Sequence, residues 1–552
     1  MFRLQKLSPL SPLTWKSIAV RGIHATSARR IFISSRTCQS KQSQSQETQL
    51  RNPSKQQLLQ FQKRQLYRIA SETIEEKEEI PAIEFALRRA QFAALLPEGS
   101  VAIVAGFTLR YATGGIFHEF HQNTDLLYLT GFNEPDAAML LEKDTAKFDG
   151  GHRFTMFVRP KNPSTEIWDG PCVGVEDAIK EYGADEVRQL KFKYCDQAFT
   201  ITKLPHRLSQ ILDTQLAQTN SKILTDLPKS HPLVPSPHAT SSHAASAPAV
   251  PAWTPYATLL TYLEGSTPPQ RPTNLYKVSP LAPVLAQLRL VKSDAEIRVL
   301  RRAGKISGRA IVDAMAATKP GVSEKYLHAV VEFSAKRRGA DWLAYVPVVA
   351  SGLNALTLHY VVNRGVLRDG DLVLMDAGCE YGNYASDITR TWPANGKFTL
   401  AQQQLYSAVL KTQKACIDKC TELSNVSLDD LQNIAFEVLK AECSKLFGRR
   451  LSYNDMNKLY PHHVGHWMGM DVHDVQSVSR TIKLKKNMVV TIEPGIYVPN
   501  SDVFPEQYRG IGIRIEDDIV IGHDNPTILS VEAPKEIVDI EAVCQGLVGT
   551  RD

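Results

Sequence analysis

Carboxylates recur on four strand-like segments in the C-terminal part of this chain, and a fold that buries those strands must bring the charges together. Asp371-Leu-Val-Leu-Met-Asp376 is an apolar run of buried-strand type that closes on Asp376. The chain then turns through Gly378 and Gly382 before Tyr384-Ala-Ser-Asp-Ile-Thr-Arg390, so a hairpin would set Asp376 and Asp387 on adjacent strands. Asn487-Met-Val-Val-Thr-Ile-Glu-Pro-Gly495 repeats the device and delivers Glu493 at a strand end that Pro494 and Gly495 fix. Gly510-Ile-Gly-Ile-Arg-Ile-Glu-Asp517 alternates, so burying Ile511, Ile513 and Ile515 aims Arg514 and Glu516 together toward the other face. Leu459-Tyr-Pro-His-His-Val-Gly-His-Trp-Met-Gly-Met-Asp-Val-His-Asp474 adds His462, His463, His466 and His473. Taken singly, these are solvated turn acids or a surface Arg–Glu pair. As a set they are like charges at short range, unfavourable without a compensating cation, which makes a metal a natural partner.

The 552 residues exceed what one hydrophobic core usually organises, so at least two domains are expected. No apolar run approaches the roughly 18 residues needed for a membrane-spanning helix, and no transmembrane segment is expected. Before Glu47 the chain carries Arg3, Lys6, Lys16, Arg21, Arg29, Arg30, Arg36 and Lys41, many Ser and Gln, and no acid. That is how a mitochondrial transit peptide reads; the alternative is a plain basic tail. Removing those eight charges from the formal net charge of +6 leaves the remainder near −2, so no large electrostatic footprint for nucleic acid is expected. The eight cysteines are scattered without CxxC spacing, as in a reducing compartment.

Residues 1–45 are therefore read as transit peptide and polar leader, and 46–77 as a linker. A helix is expected from Ile80 to Leu96. Short strands follow at Val101–Val104, Leu126–Leu129, Ala137–Leu141 and Phe154–Val158, with a helix at Gly174–Tyr182. Residues 227–272 hold about a third of the prolines with Ser and Ala, and read as a disordered insertion. Ser293 with Glu296, and Thr399 with Gln402, are capping-box signatures opening two long helices, the second through Cys420.

Asp376, Asp387 eleven residues later, His466, Glu493 and Glu516, in this order, resemble the metal positions of the pita-bread metallopeptidases, in their aminopeptidase P and Xaa-Pro aminopeptidase branch. The resemblance covers nearly the whole chain after about residue 78. It is looser in the N-terminal half, carried by His121-Gln-Asn-Thr-Asp-Leu-Leu-Tyr-Leu-Thr-Gly-Phe-Asn-Glu-Pro135 and Glu166-Ile-Trp-Asp-Gly170. It implies an α/β (α+β) chain: a creatinase-type N-terminal α/β domain over 78–285, then a pita-bread catalytic domain over 286–545.

The resemblance also implies a metallo-aminopeptidase holding two divalent ions. Asp387 and Glu516 would bridge both, Asp376 would complete one site, and His466 with Glu493 the other. Four carboxylates and one imidazole suit Mn²⁺, although Co²⁺, Fe²⁺ and Zn²⁺ would bind such ligands too. Two ions so placed would activate a water for attack on the scissile carbonyl. Glu493 would carry the proton to the leaving amine, His473 and His462 would polarise the carbonyl, His359 is a further active-site histidine, and Arg514 would orient neighbouring carboxylates. His463 stands where many of these enzymes have Gly or Ser, and has no role assigned. Homo-oligomers, dimers foremost, are implied as well, with Trp168 a candidate wall residue of the substrate site.

With the transit peptide, the expected substrates are the N-termini of peptides or of proteins imported into mitochondria, trimmed by one residue after presequence removal in the matrix or at the matrix face of the inner membrane. Two alternatives remain: strict Xaa-Pro cleavage, and a binding-only member of the fold. The latter class lacks one or more of the five ligands, all of which are present here.

Overall fold

The computed structural model describes residues 79–189, 192–195, 198–201, 222–226 and 277–547. The transit peptide, the linker and the proline-rich insertion all lie outside the described residues.

The chain opens on helix α1 (Ala82–Leu95), where expected, which buries Phe92 and Ala93 and also two cations, Arg88 and Arg89. The N-terminal sheet has six strands: β1 (Val101–Ala105), β2 (Ala138–Lys143), β3 (His152–Val158), β4 (Glu186–Gln189), β5 (Lys222–Leu224) and β6 (Lys277–Ser279), in the spatial order β6-β5-β1-β2-β3-β4. The central strands are apolar on both faces: β1 is buried throughout and β2 up to its last residue, as strands covered on two sides must be. β1 and β2 run antiparallel, Val104 opposite Met139.

One expected strand is a helix. Leu126–Leu129 lies in α2 (Thr124–Thr130), because Asn123 accepts from the amides of Asp125 and Leu126 and Gly131 ends the turn in the left-handed region at φ 73°. An N-cap amide and a C-terminal glycine outweigh the strand preference of four apolar residues. α3 (Pro163–Asp169) and α4 (Gly174–Tyr182) follow, the latter at its expected bounds.

α5 (Ala282–Arg289) leads into the C-terminal half. Both foreseen capping boxes form, Ser293 with Glu296 on α6 (Asp294–Ala317) and Thr399 with Gln402 on α8 (Leu400–Ile417). Such caps contribute about 1 kcal/mol each. α8 stops at Ile417, three residues short of the expected Cys420. α7 (Glu324–Arg337) and α9 (Leu428–Leu446) complete the helical layer. Against it lie β7 (Val348–Ser351), β8 (Leu372–Asp376) and β9 (Thr389–Pro393), antiparallel in the order β7-β8-β9, and two further ladders. These pair β10 (Val489–Ile492) with β13 (Asp517–Val520) and β11 (Gly495–Tyr497) with β12 (Gly512–Arg514). No helix of the described residues is long and apolar enough to cross a membrane.

The two halves meet through buried polar contacts. Arg88 donates to the Tyr384 hydroxyl at 3.1 Å and to the Tyr128 carbonyl at 3.2 Å. His121 Nε2 lies 2.9 Å from a Glu380 carboxylate oxygen, and that hydrogen bond raises the imidazole above its ordinary 6.5. Because the folded value is the raised one, the pair's contribution is complete below about pH 6.5 and fades as pH rises through the folded value. The stability difference between wild type and His121→Leu, followed by thermal unfolding, is therefore expected to be largest at about pH 6 and to vanish in mildly alkaline buffer. At a partly exposed site it should not exceed about 1 kcal/mol.

Candidate metal centre

Strand geometry delivers the five foreseen residues to one place. Asp376 is the last residue of β8 and faces Thr389 across the ladder. Asp387 lies two residues before β9. Its amide donates to both oxygens of the buried Asp518 carboxylate at 3.1 and 3.2 Å, which fixes the backbone and turns the side chain the other way. The Tyr345 hydroxyl sits 2.6 Å from Asp376 Oδ1 and 2.6 Å from Asp387 Oδ1, so both aspartates converge on one phenol.

The alternating segment 511–517 is not one continuous strand: β12 ends at Arg514 and β13 begins at Asp517. Arg514 and Glu516 nevertheless point together, toward Thr389. The Thr389 hydroxyl donates to Glu516 Oε2 at 2.6 Å and accepts from Arg514 Nε at 3.0 Å. Arg514 Nη2 donates to Asp376 Oδ2 at 2.6 Å, and Nη1 donates to Tyr497 at 2.9 Å.

His466 Nε2 approaches Asp387 Oδ2 at 3.4 Å and Glu493 Oε1 at 3.7 Å. Its Nδ1 is held by the Trp467 carbonyl at 3.1 Å, which fixes which nitrogen faces the acids. One ligand atom from each of Asp387, His466 and Glu516 lies within 4.8 Å of the others.

The electrostatics say what the cluster lacks. Burial, with the charges of Asp387, Glu493 and Asp376, drives the Glu516 carboxyl well above its usual range. Burial also pushes Glu493 up to about 7, against the pull of His466 and Arg514. Burial opposes ionisation of both His466 and Asp387, but their mutual hydrogen bond and charges prevail, taking the imidazole to about 9 and holding the aspartate below its ordinary value. Two buried carboxylates, Asp387 and Glu516, and two half-buried ones, Asp376 and Glu493, thus share one guanidinium and one imidazole, a donor set short of positive charge that fits divalent cations.

Around the cluster, His462 Nε2 lies 2.9 Å from the Tyr497 hydroxyl, and burial with the Arg514 charge lowers His462 to about 3. The His473 ring packs edge-on against His466, centroids 4.4 Å apart, and faces solvent. His359 is exposed and lies near enough to His462 and His473 to be among the groups that disfavour their protonation. His463 turns away to Asp429 at 3.3 Å. Trp168 stands apart, 86% exposed on α3, a helix that buries none of its residues. Sequence reasoning missed Tyr345, Thr389, Tyr497 and Asp518. Only Thr389 carried a signal, lying on the strand that follows Asp387.

Residues 298–523 match the family described as Metallopeptidase family M24, and residues 85–216 match the aminopeptidase P N-terminal domain. The chain is 36% identical to Xaa-Pro aminopeptidase 3 of Rattus norvegicus over 475 residues, covering 84% of this chain and 86% of that one. It is 39% identical to intermediate cleaving peptidase 55 of Saccharomyces cerevisiae over 475 residues, 86% of each. This chain belongs to metallopeptidase family M24. A crystal structure of the same yeast peptidase bound to apstatin inhibitor superposes with a TM-score of 0.67 at 36% identity, over 86% of this chain and 100% of that one. The M24 fold expected from the sequence, an aminopeptidase P N-terminal domain followed by a pita-bread domain, is the fold observed. The chain is a metal-dependent aminopeptidase, and Asp387, His466 and Glu516 are grouped closely enough that they could hold a metal ion.

Proposed function

We propose that this M24 enzyme holds two divalent ions, Mn²⁺ by preference, and removes a single N-terminal residue from proteins imported into mitochondria after their presequences are cleaved. The convergence of Asp376, Asp387, His466, Glu493 and Glu516 on one buried site with uncompensated negative charge supports the metal pair. Asp387 and Glu516 would be shared by the two ions, with Asp376 completing one site and His466 and Glu493 the other. When bound, the ions supply a water activated at neutral pH and a positive field at the scissile carbonyl.

The chain's own groups do the rest. Glu493 takes a proton at its carboxylate and returns it to the leaving amine. His473 donates to the carbonyl oxygen as charge develops on it, and His462, neutral and with its N–H on the His463 carbonyl, accepts from Tyr497 beside it. His359 fixes the peptide beyond the scissile bond. Arg514 aims Asp376 and opposes the rise that burial imposes on its carboxyl. Trp168, exposed within one chain, becomes a wall of the substrate site in a homodimer. The names of relatives, intermediate cleaving peptidase 55 in yeast and the same peptidase described as mitochondrial in Arabidopsis thaliana, support the address and the trimming role, with the matrix or the matrix face of the inner membrane as the working place.

A second reading, strict Xaa-Pro cleavage, is favoured by the name of the rat relative. Purified enzyme with Mn²⁺ should cleave both an Xaa-Pro peptide and a peptide with a bulky first residue before Ser. Turnover of the Xaa-Pro peptide alone would overturn the trimming reading in favour of the second.

A further inference from the structure

The loop from His466 to His473 is anchored by a residue that belongs to neither the loop nor the metal cluster. Asp474, next to His473, is buried, and its amide closes the loop on the Trp467 carbonyl at 3.0 Å. Its carboxylate meets two cations from the segment joining the halves of the chain: Arg289 Nη2 at 2.7 Å and Lys292 Nζ at 3.1 Å. The same Arg289 Nη2 takes Asp471 at 2.7 Å on the same loop. Its Nη1 turns the other way, to Asp125 Oδ1 at 2.7 Å and Thr124 Oγ1 at 3.2 Å, at the start of α2 in the N-terminal domain. Thr124 itself donates to Asp471 at 3.1 Å.

We infer that Arg289 is a positioning residue, through which the N-terminal domain holds His473 in place for substrate. This rests on the role proposed above for His473. A planar guanidinium presents two nitrogens in a rigid fork, so one side chain can grip a carboxylate of each domain at once; an ammonium is a single point charge and cannot. The bond from Asp125 through Arg289 to Asp474 ends one peptide unit from the His473 Cα. Apart from its edge-on contact with His466, the solvent-facing ring depends on this loop for its position, and displacement of about 1 Å at such a group is enough to cost on the order of a hundredfold in function. Lys292 neutralises Asp474 from a different direction, so removing the fork leaves the buried carboxylate paired and the fold intact.

The discriminating variant is Arg289→Lys, which keeps the charge and removes the fork. Binding of apstatin to the full-length, Mn²⁺-loaded enzyme is measured by titration calorimetry for wild type, Arg289→Lys, His473→Ala and the double variant, with the folded state of each checked by thermal unfolding. The expected result is weakening of about tenfold by Arg289→Lys in the wild-type background and less than about twofold in the His473→Ala background. Equal weakening in both backgrounds, or none in either, overturns the inference and leaves Arg289 a structural ion pair. If His473→Ala alone leaves binding unchanged, the proposed role of His473 fails, and the inference with it. Should Arg289→Lys not fold, Asp125→Asn removes only the N-terminal anchor and is run through the same cycle: weakening that depends on His473 supports the inference, and weakening that does not, or none, overturns it.

Discussion

Asp387→Ala is expected to leave the chain folded and to abolish its aminopeptidase activity, a loss on the order of a thousandfold or more. The fold survives because the Asp387 amide, not its side chain, makes the contact to Asp518, and alanine keeps that amide. The side chain's favourable pairing with His466 and Tyr345, which holds it below its ordinary value, is offset by the repulsion that helps raise the Glu516 and Glu493 carboxyls. Its loss leaves the Tyr345 hydroxyl with Asp376 and frees His466 from its carboxylate partner, changes that nearly offset, so unfolding free energy should move by no more than about 2 kcal/mol. Activity falls because Asp387 is the acid that lies nearest both Asp376, through Tyr345, and His466. Steady-state turnover of a short peptide beside a thermal melt checks both halves. Retained turnover would contradict the site assignment.

Gly378→Ala is expected to do the opposite and cost the fold first. A Cβ at this position would lie 1.7 Å from the Ser386 carbonyl oxygen, 2.6 Å from its carbon and 3.2 Å from the Asp387 nitrogen. All three are backbone atoms and cannot rotate away. The segments carrying Asp376 and Asp387 would have to separate, breaking the hydrogen bond from the Ala377 amide to the Ile388 carbonyl and opening the aspartate pair. Overpacking of this kind costs about 3 kcal/mol or more. Denaturant unfolding should show that loss, and surviving protein should have lost its activity. An alanine variant of native stability would mean the two segments do not approach this closely. The same device secures the other half of the site, where a Cβ on Gly465 would stand 1.9 Å from the Thr491 carbonyl oxygen, beside His466 and Glu493.

The convergence of these acids was legible because its grammar is local. An apolar run that ends on an acid announces a buried strand delivering a charge, and Asp376 and Glu493 both obey it. The capping boxes at Ser293 and Thr399 were legible for the same reason, since a cap is a four-residue event. Leu126–Leu129 misled because a short apolar run is compatible with strand and helix alike, and the deciding residues were the flanking Asn123 and Gly131. The break between β12 and β13 was hidden because alternation survived it: Arg514 and Glu516 still share a direction toward Thr389. Tyr345, Tyr497 and Asp518 could not have been found from spacing. Each acts on a ligand or its neighbour far away in the chain, the phenol of Tyr345 reaching 42 residues onward to Asp387, and only tertiary structure creates that contact. Glu324 belongs to the same class. Its buried carboxylate accepts from the Ser351 amide and hydroxyl, Asn354, Tyr360 and the Gly365 amide, and so ties down the loop that carries His359.

The central claim is that five residues form a site for two ions, with Asp387 shared between them. It is tested most directly by counting Mn²⁺ bound per chain, by elemental mass spectrometry on desalted protein, in wild type and in Asp387→Ala. Two ions per chain in wild type and fewer than one in the folded variant is the predicted result. One ion per chain in wild type, or an unchanged count in Asp387→Ala, would contradict it.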